Sequence, residues 1–172
     1  MEAQRAPGIA KVVTKYGLIQ GVVAFAVSTF STRAGISPSW AGGLLNAVVL
    51  IVLMILAHRE FKRTHNGVMT YPEGLWSGTL LAVIAAVLAA VLFYVYVQYI
   101  DSGFIATVMR AQQAALEQRG ITGAQAQQAM GILSAVMTPV GLAVSSLITQ
   151  VIVGFIVALI ASIFTQSATA RS

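Results

Sequence analysis

Hydrophobic positions fill four long blocks of this chain, and the charged positions are pushed to the joints between them. Residues 16–32, 34–57, 74–100 and 139–170 contain no Asp, Glu, Lys, Arg or His. The hydrocarbon core of a bilayer takes roughly 20 apolar residues in a helix. The pattern therefore predicts four membrane-spanning helices, near residues 12–31, 39–57, 74–100 and 139–165. Pro38 suits the start of the second, where a missing N–H costs little, and Pro72 the first turn of the third, with Glu73 beside the positive end of the helix dipole. Pro7-Gly8 reads as a break in the N-terminal tail, and Asn66-Gly67 as a turn.

Residues 101–138 have a different pattern. Phe104, Ile105, Val108, Met109 and Leu116 recur at helical spacing, and Ala126, Ala129, Met130, Leu133 and Met137 do so again. Asp101 or Ser102 can cap the first of these helices. Arg119-Gly120 ends it, and Thr122 with Gln125 opens the second as a capping box. The expectation is an all-α integral membrane four-helix bundle, a single membrane domain, with an amphipathic helical hairpin inserted between spans three and four.

Composition agrees. Only 9% of the 172 residues are charged and 58% are hydrophobic, with mean hydropathy +0.84. A soluble domain has about a quarter of its residues charged, too many to be matched here. A basic start followed by an apolar run also describes a secretory signal peptide. The first run, however, extends back to Val12 and reaches span length, so the expectation is a retained helix. The chain has no cysteine, which removes thiol catalysis, thiolate metal sites and disulfides.

The net charge of +5 reads as topology rather than as nucleic-acid binding. Seven of the ten Lys and Arg lie before span one, between spans two and three, or after span four: Arg5, Lys11, Lys15, Arg59, Lys62, Arg63 and Arg171. Arg33, Arg110 and Arg119 lie on the other side. The positive-inside rule then puts both termini and residues 58–73 in the cytoplasm and the 101–138 hairpin outside. Trp40 falls at the outer interface. Trp76 and Tyr71 fall at the inner end of span three, and Tyr94, Tyr96 and Tyr99 at its outer end, as aromatic belts do.

Chemistry inside a membrane ordinarily needs an ionisable group within a span. These spans hold only neutral polar residues, which speaks against proton-coupled transport. Gln20, Asn46, Ser146 and Gln150 form a candidate intramembrane polar cluster. Two readings are open to it: hydrogen bonding between helices, or a site for a lipid headgroup or small solute. Gly17 with Gly21, Gly74 with Gly78, and Gly154 with Ala158 and Ser162 are four apart, so these faces let helices approach closely, within one chain or between copies. His58 and His65 read as interfacial and solvated, and two histidines are too few for a metal site. Arg59, Lys62 and Arg63 read first as a topology signal, with contact to anionic lipid headgroups as the alternative. No catalytic residue, metal or cofactor is expected.

Three runs carry a family resemblance: Gly67…Tyr71-Pro72-Glu73-Gly74…Gly78; Tyr99-Ile100-Asp101…Phe104; and Gly120-Ile121-Thr122…Gln125…Met130…Pro139. Their order around four spans resembles the bacterial membrane proteins grouped as domain-of-unknown-function family 4199, over roughly residues 10–165. The resemblance implies a four-helix inner-membrane protein with an extracytoplasmic helical insertion, and it brings no catalytic residues. Insertions in that family tend to be richer in charge, whereas this one is rich in Ala and Gln.

The functional expectation is a non-enzymatic structural or accessory subunit of a bacterial inner membrane. Its partners would be the lipid bilayer and, through the hairpin, a second copy or another membrane protein. The alternative is a transporter or channel component for a neutral or lipid-like solute. A third reading, an enzyme using interfacial His58 and His65, has only those two residues behind it.

Overall fold

The computed structural model describes residues 6–34, 40–64 and 67–167. The described residues form six helices and no strand: α1 (Ala6–Arg33), α2 (Trp40–Thr64), α3 (Tyr71–Val95), α4 (Phe104–Gln118), α5 (Gly123–Val136) and α6 (Pro139–Thr165). A single π-helical turn, Tyr96–Ile100, prolongs α3. Four segments are long and apolar enough to cross a membrane: Gly8–Ser31, Gly42–Arg63, Tyr71–Ile100 and Pro139–Thr165. The architecture is an all-α membrane helical bundle. Apolar side chains such as Phe30, Ile160 and Phe164 (82% exposed) line its outside, where hydrocarbon rather than water is the natural solvent.

The helices overrun two sequence boundaries. Pro7-Gly8 does not break the chain: Pro7 sits in the first turn of α1, where its missing N–H is one of the unbonded ones anyway. The run His58–Arg63 is helical rather than a loop, because α2 continues to Thr64 and turns His58 and Phe61 inward while Arg59 and Arg63 stay exposed. Arg5, Pro38, His65, Asn66 and Arg171 lie outside the described residues, as does the Trp40 side chain. Gly67 is described, and its φ of 79° fits the turn expected there.

The chain divides into two compact units, Met1–Ala89 with Leu147–Ser172, and Ala90–Ser146. The first is held by close approach along small residues. α3 and α6 run antiparallel in register: Gly154 meets Ala82, Gly78 meets Ala158, and Gly74 meets Ser162. α1 runs parallel to α3, with Gly17 against Leu81 and Ile84 and Gly21 against Ala85 and Leu88. Around these contacts Val13, Leu50, Met54, Leu81 and Ala158 form the core. Without a hydrophobic drive between helices in lipid, such packing and interhelical hydrogen bonds carry association. The small-residue stripes thus serve packing within one chain.

Polar contacts close one end of this unit. Glu60 on α2 accepts from Lys15 Nζ and Tyr16 Oη on α1, both at 2.8 Å. α3 opens on a reciprocal cap: Thr70 N–H donates to Glu73 Oε2 at 2.9 Å, and Glu73 N–H donates to Thr70 Oγ1 at 3.4 Å. Thr70→Ala is expected to lower stability by about 1 kcal/mol and Thr70→Ser to leave it nearly unchanged, read from thermal unfolding midpoints in detergent.

In the second unit an aromatic cluster closes the turn between α3 and α4. Phe104 packs edge-on against Phe93 at 5.3 Å and Tyr96 at 6.1 Å. Neither Asp101 nor Ser102 caps α4. The cap position is Gly103, and the Asp101 carboxylate instead accepts from Tyr96 Oη at 2.9 Å. That bond also takes Tyr96 out of the expected belt and buries it, while Tyr99 stays exposed. α4 ends as the Arg119-Gly120 pair suggests: Gly120 has φ 74°, and Ile121 N–H reaches back to Leu116 O at 3.0 Å. Thr122 does precede α5, but its side chain makes no capping bond. The apolar stripes of α4 and α5 coincide with their better-covered positions, yet Phe104 alone is buried.

Candidate functional site

Two uncharged amides, one on α1 and one on α2, bond to each other between helices in the first unit. Gln20 sits midway along α1 and is 2% exposed. Its Nε2 donates to Asn46 Oδ1 on α2 at 3.0 Å. Its Oε1 is buried with no hydrogen-bond partner. The pair lines a cavity of about 130 Å³, where Thr149 and Gln150 of α6 add the remaining polar groups. Leu50, Ala82 and Ala85 form apolar wall, and Gly43, Thr149 and Val153 are exposed at its edge. No ionisable side chain lines it.

Three of the four residues of the expected cluster, Gln20, Asn46 and Gln150, thus line one cavity. Ser146 does not. Its hydroxyl donates to Ala143 O at 2.9 Å, so its own helix satisfies it. Thr149 joins the other three, a lining residue beyond the expected cluster that lies beside Gln150 and carries a hydroxyl at the same level of α6. The convergence follows from helix geometry. The small-residue contacts that bring α1 and α6 against α3 also bring the amides of Gln20 and Gln150 to the same side of Ala82 and Ala85.

His58 departs from expectation. It is 1% exposed rather than interfacial and solvated. Nε2 lies 3.1 Å from Gly74 O on α3, and Nδ1 lies 2.7 Å from Thr165 Oγ1 on α6. A carbonyl oxygen only accepts, so Nε2 carries a hydrogen. The ring joins three helices. Among the described residues no group of three or more His, Cys, Asp and Glu is placed to hold a metal ion. Arg59 and Arg63 are exposed and Lys62 is half-buried along the last turns of α2, a position compatible with the headgroup region.

The family model described as "Protein of unknown function (DUF4199)" matches residues 15–167, nearly the whole bundle. The chain belongs to this family. No curated protein and no solved structure matches it. Membership in DUF4199 carries no activity with it, so function rests on the geometry described above.

Proposed function

We propose that the protein is a non-enzymatic, multi-pass component of a bacterial inner membrane, acting as an accessory or interaction subunit through α4 and α5. The observation that carries this reading is the poor burial of these two helices: Phe104 is their one buried residue. Isolated helices of their length are marginal in water, so they gain from being covered. α5 has no charged residue and exposes Ile132 and Val136. A helix made for an anionic membrane surface is rich in Lys and Arg on its polar face. The composition of α5 favours a protein partner, a second copy or another membrane protein. The Lys and Arg distribution supports an extracytoplasmic position for this pair, with both termini cytoplasmic.

The absence of cysteine makes the test clean. Single cysteines replacing Met109, Met130, Ile132 or Val136 are expected to give oxidative crosslinks in intact membranes, to a second copy or to another protein. A membrane-impermeant maleimide is expected to label Ile132→Cys without permeabilisation. Uncrosslinked chain at all four positions would remove the interaction reading.

The second reading, a transporter or channel component for a neutral or lipid-like solute, is favoured by the amide-lined cavity. Solute flux in proteoliposomes tests it.

A further inference from the structure

We infer that the lipid-facing side of the α1–α2 seam binds one anionic phospholipid, its phosphate held by Lys11, Lys15 and Arg63 and an acyl chain lying over Ile19, Val22 and Leu56. The site belongs to the first unit, so it stands apart from the interaction reading of α4 and α5.

The seam brings the three cations to one place. α1 and α2 run antiparallel: Gly42 meets Ser31 toward one end, and Lys15 Nζ meets Glu60 Oε2 at 2.8 Å toward the other. Lys11 lies one turn before Lys15 on α1, and Arg63 lies one turn beyond Glu60 on α2, so both step toward the same end of the pair. Packed helices lie about 8–10 Å apart, a gap that two long side chains bridge with one phosphate between them. The charge of Arg63 acts on both Glu60 and Tyr16, which puts Arg63 at the seam. Lys62, by contrast, is turned about 160° from Glu60 around the helix.

The charges there are not spent within the chain. Among the described residues Glu60 is the acid at this seam, and Lys15 and Tyr16 already bond it. Neither Lys11 nor Arg63 has an ion-pair partner among the described residues, and both are exposed. Three cations against one carboxylate leave a positive surplus that a phosphodiester matches.

The level and the neighbouring surface select a lipid. Lys11 and Arg63 fall within one turn of the ends of the apolar segments Gly8–Ser31 and Gly42–Arg63, where headgroup phosphates lie. Deeper along the same strip the exposed side chains are apolar. Ile19 and Val22 follow Lys15 by four and seven positions, and Leu56 precedes Arg63 by seven. A phosphate and an acyl chain of one molecule therefore each meet matching surface. A free phosphate ion would leave the apolar strip unused. A zwitterionic headgroup would bring a further positive charge to a site that already has a surplus.

The test uses the full chain in detergent with equal amounts of phosphatidylglycerol and phosphatidylcholine of the same acyl chains. Bound lipid is extracted after gel filtration and quantified by mass spectrometry. Enrichment of phosphatidylglycerol over phosphatidylcholine is expected for the parent. Each cation near a membrane surface contributes about fivefold, so Lys11→Gln combined with Arg63→Gln is expected to weaken phosphatidylglycerol binding roughly 25-fold. Both side chains are exposed, so the unfolding midpoint is expected to stay unchanged. Lys62→Gln combined with Arg110→Gln removes the same net charge away from the strip and is expected to change binding by no more than about twofold. An equal loss in the two double variants would overturn the site in favour of diffuse attraction, and no enrichment in the parent would overturn it outright. Release of phosphatidylglycerol by inorganic phosphate, beyond that caused by chloride at equal ionic strength, would overturn the lipid assignment in favour of a free phosphate ion.

Discussion

Gly154→Leu is expected to unfold the membrane unit, or to lower its unfolding midpoint in detergent by more than any other single substitution in α6. A Cβ at Gly154 would collide with the Cβ of Ala82, and Ala82 Cα lies 3.5 Å away. Ala82 has no rotamer to change, so the only relief is separation of α3 from α6. That separation would also loosen Gly78 from Ala158 and Gly74 from Ser162, the next two steps of the same ladder. Overpacking a tight contact costs typically 1–3 kcal/mol, and a loss spread over three steps is expected above about 3 kcal/mol. In lipid no hydrophobic term compensates, because acyl chains are as apolar as the side chains they would replace. Gly154→Ala is expected to be milder but still destabilising. Gly43→Ala is the control: its Cβ meets nothing within 4 Å, and relief of a helical glycine is expected to stabilise by up to about 1 kcal/mol. An unchanged midpoint for Gly154→Leu would show that α3 and α6 do not meet along this face.

Those glycines show what could be read without coordinates. Runs of uncharged apolar residues locate the spans because hydrocarbon tolerates little else, and the segments near 12–31, 39–57, 74–100 and 139–165 correspond to the four long apolar helices. Spacing by four marked the close faces, but it left open which faces meet, because Gly154 and Ala82 are far apart in sequence. The amides were visible for the opposite reason. A Gln or Asn in a span needs a partner, so Gln20, Asn46 and Gln150 stood out, while Ser146 could satisfy itself on its own helix and gave no sign of it. Asp101 sits where a local rule expects a helix cap, but the bond from Tyr96 takes its carboxylate instead. Thr70-x-x-Glu73 carries a capping-box signature that is legible in the sequence, beyond the dipole position of Glu73 alone. His58 looks interfacial in the sequence because an uncharged block ends at Ala57, which suggests the water boundary, although helix α2 does not end there.

His58→Ala is the substitution on which the interfacial and the buried readings of that residue part most sharply. A solvated histidine at the membrane edge would be replaced with a change within about 0.5 kcal/mol. The buried ring does three things at once. It fills space as one of the largest fully buried side chains; it donates to Gly74 O; and it meets Thr165 Oγ1. Gly74 O keeps a donor in Ser77 Oγ at 3.0 Å, and Thr165 Oγ1 keeps Ala161 O at 2.7 Å, so neither partner is stranded. The loss is then mainly the cavity left by the imidazole and the ties between helices, for which about 2–4 kcal/mol is expected. The damage is also expected to be directional. The end of α6 is tied to the α2–α3 connection by Ser167, whose N–H donates to Met69 O at 2.9 Å and whose hydroxyl donates to Gly67 O at 2.9 Å. With the His58 clamp gone, these two bonds carry more of the attachment of that end. Amide exchange should therefore rise at Met69, Gly74 and Ser167 before it rises at Ala82 or Ala158 in the packed ladder. His58→Gln, which retains a donor of similar reach, should recover part of the loss. A midpoint and exchange pattern unchanged in His58→Ala would return His58 to the membrane surface and release α2 from its junction with α3 and α6.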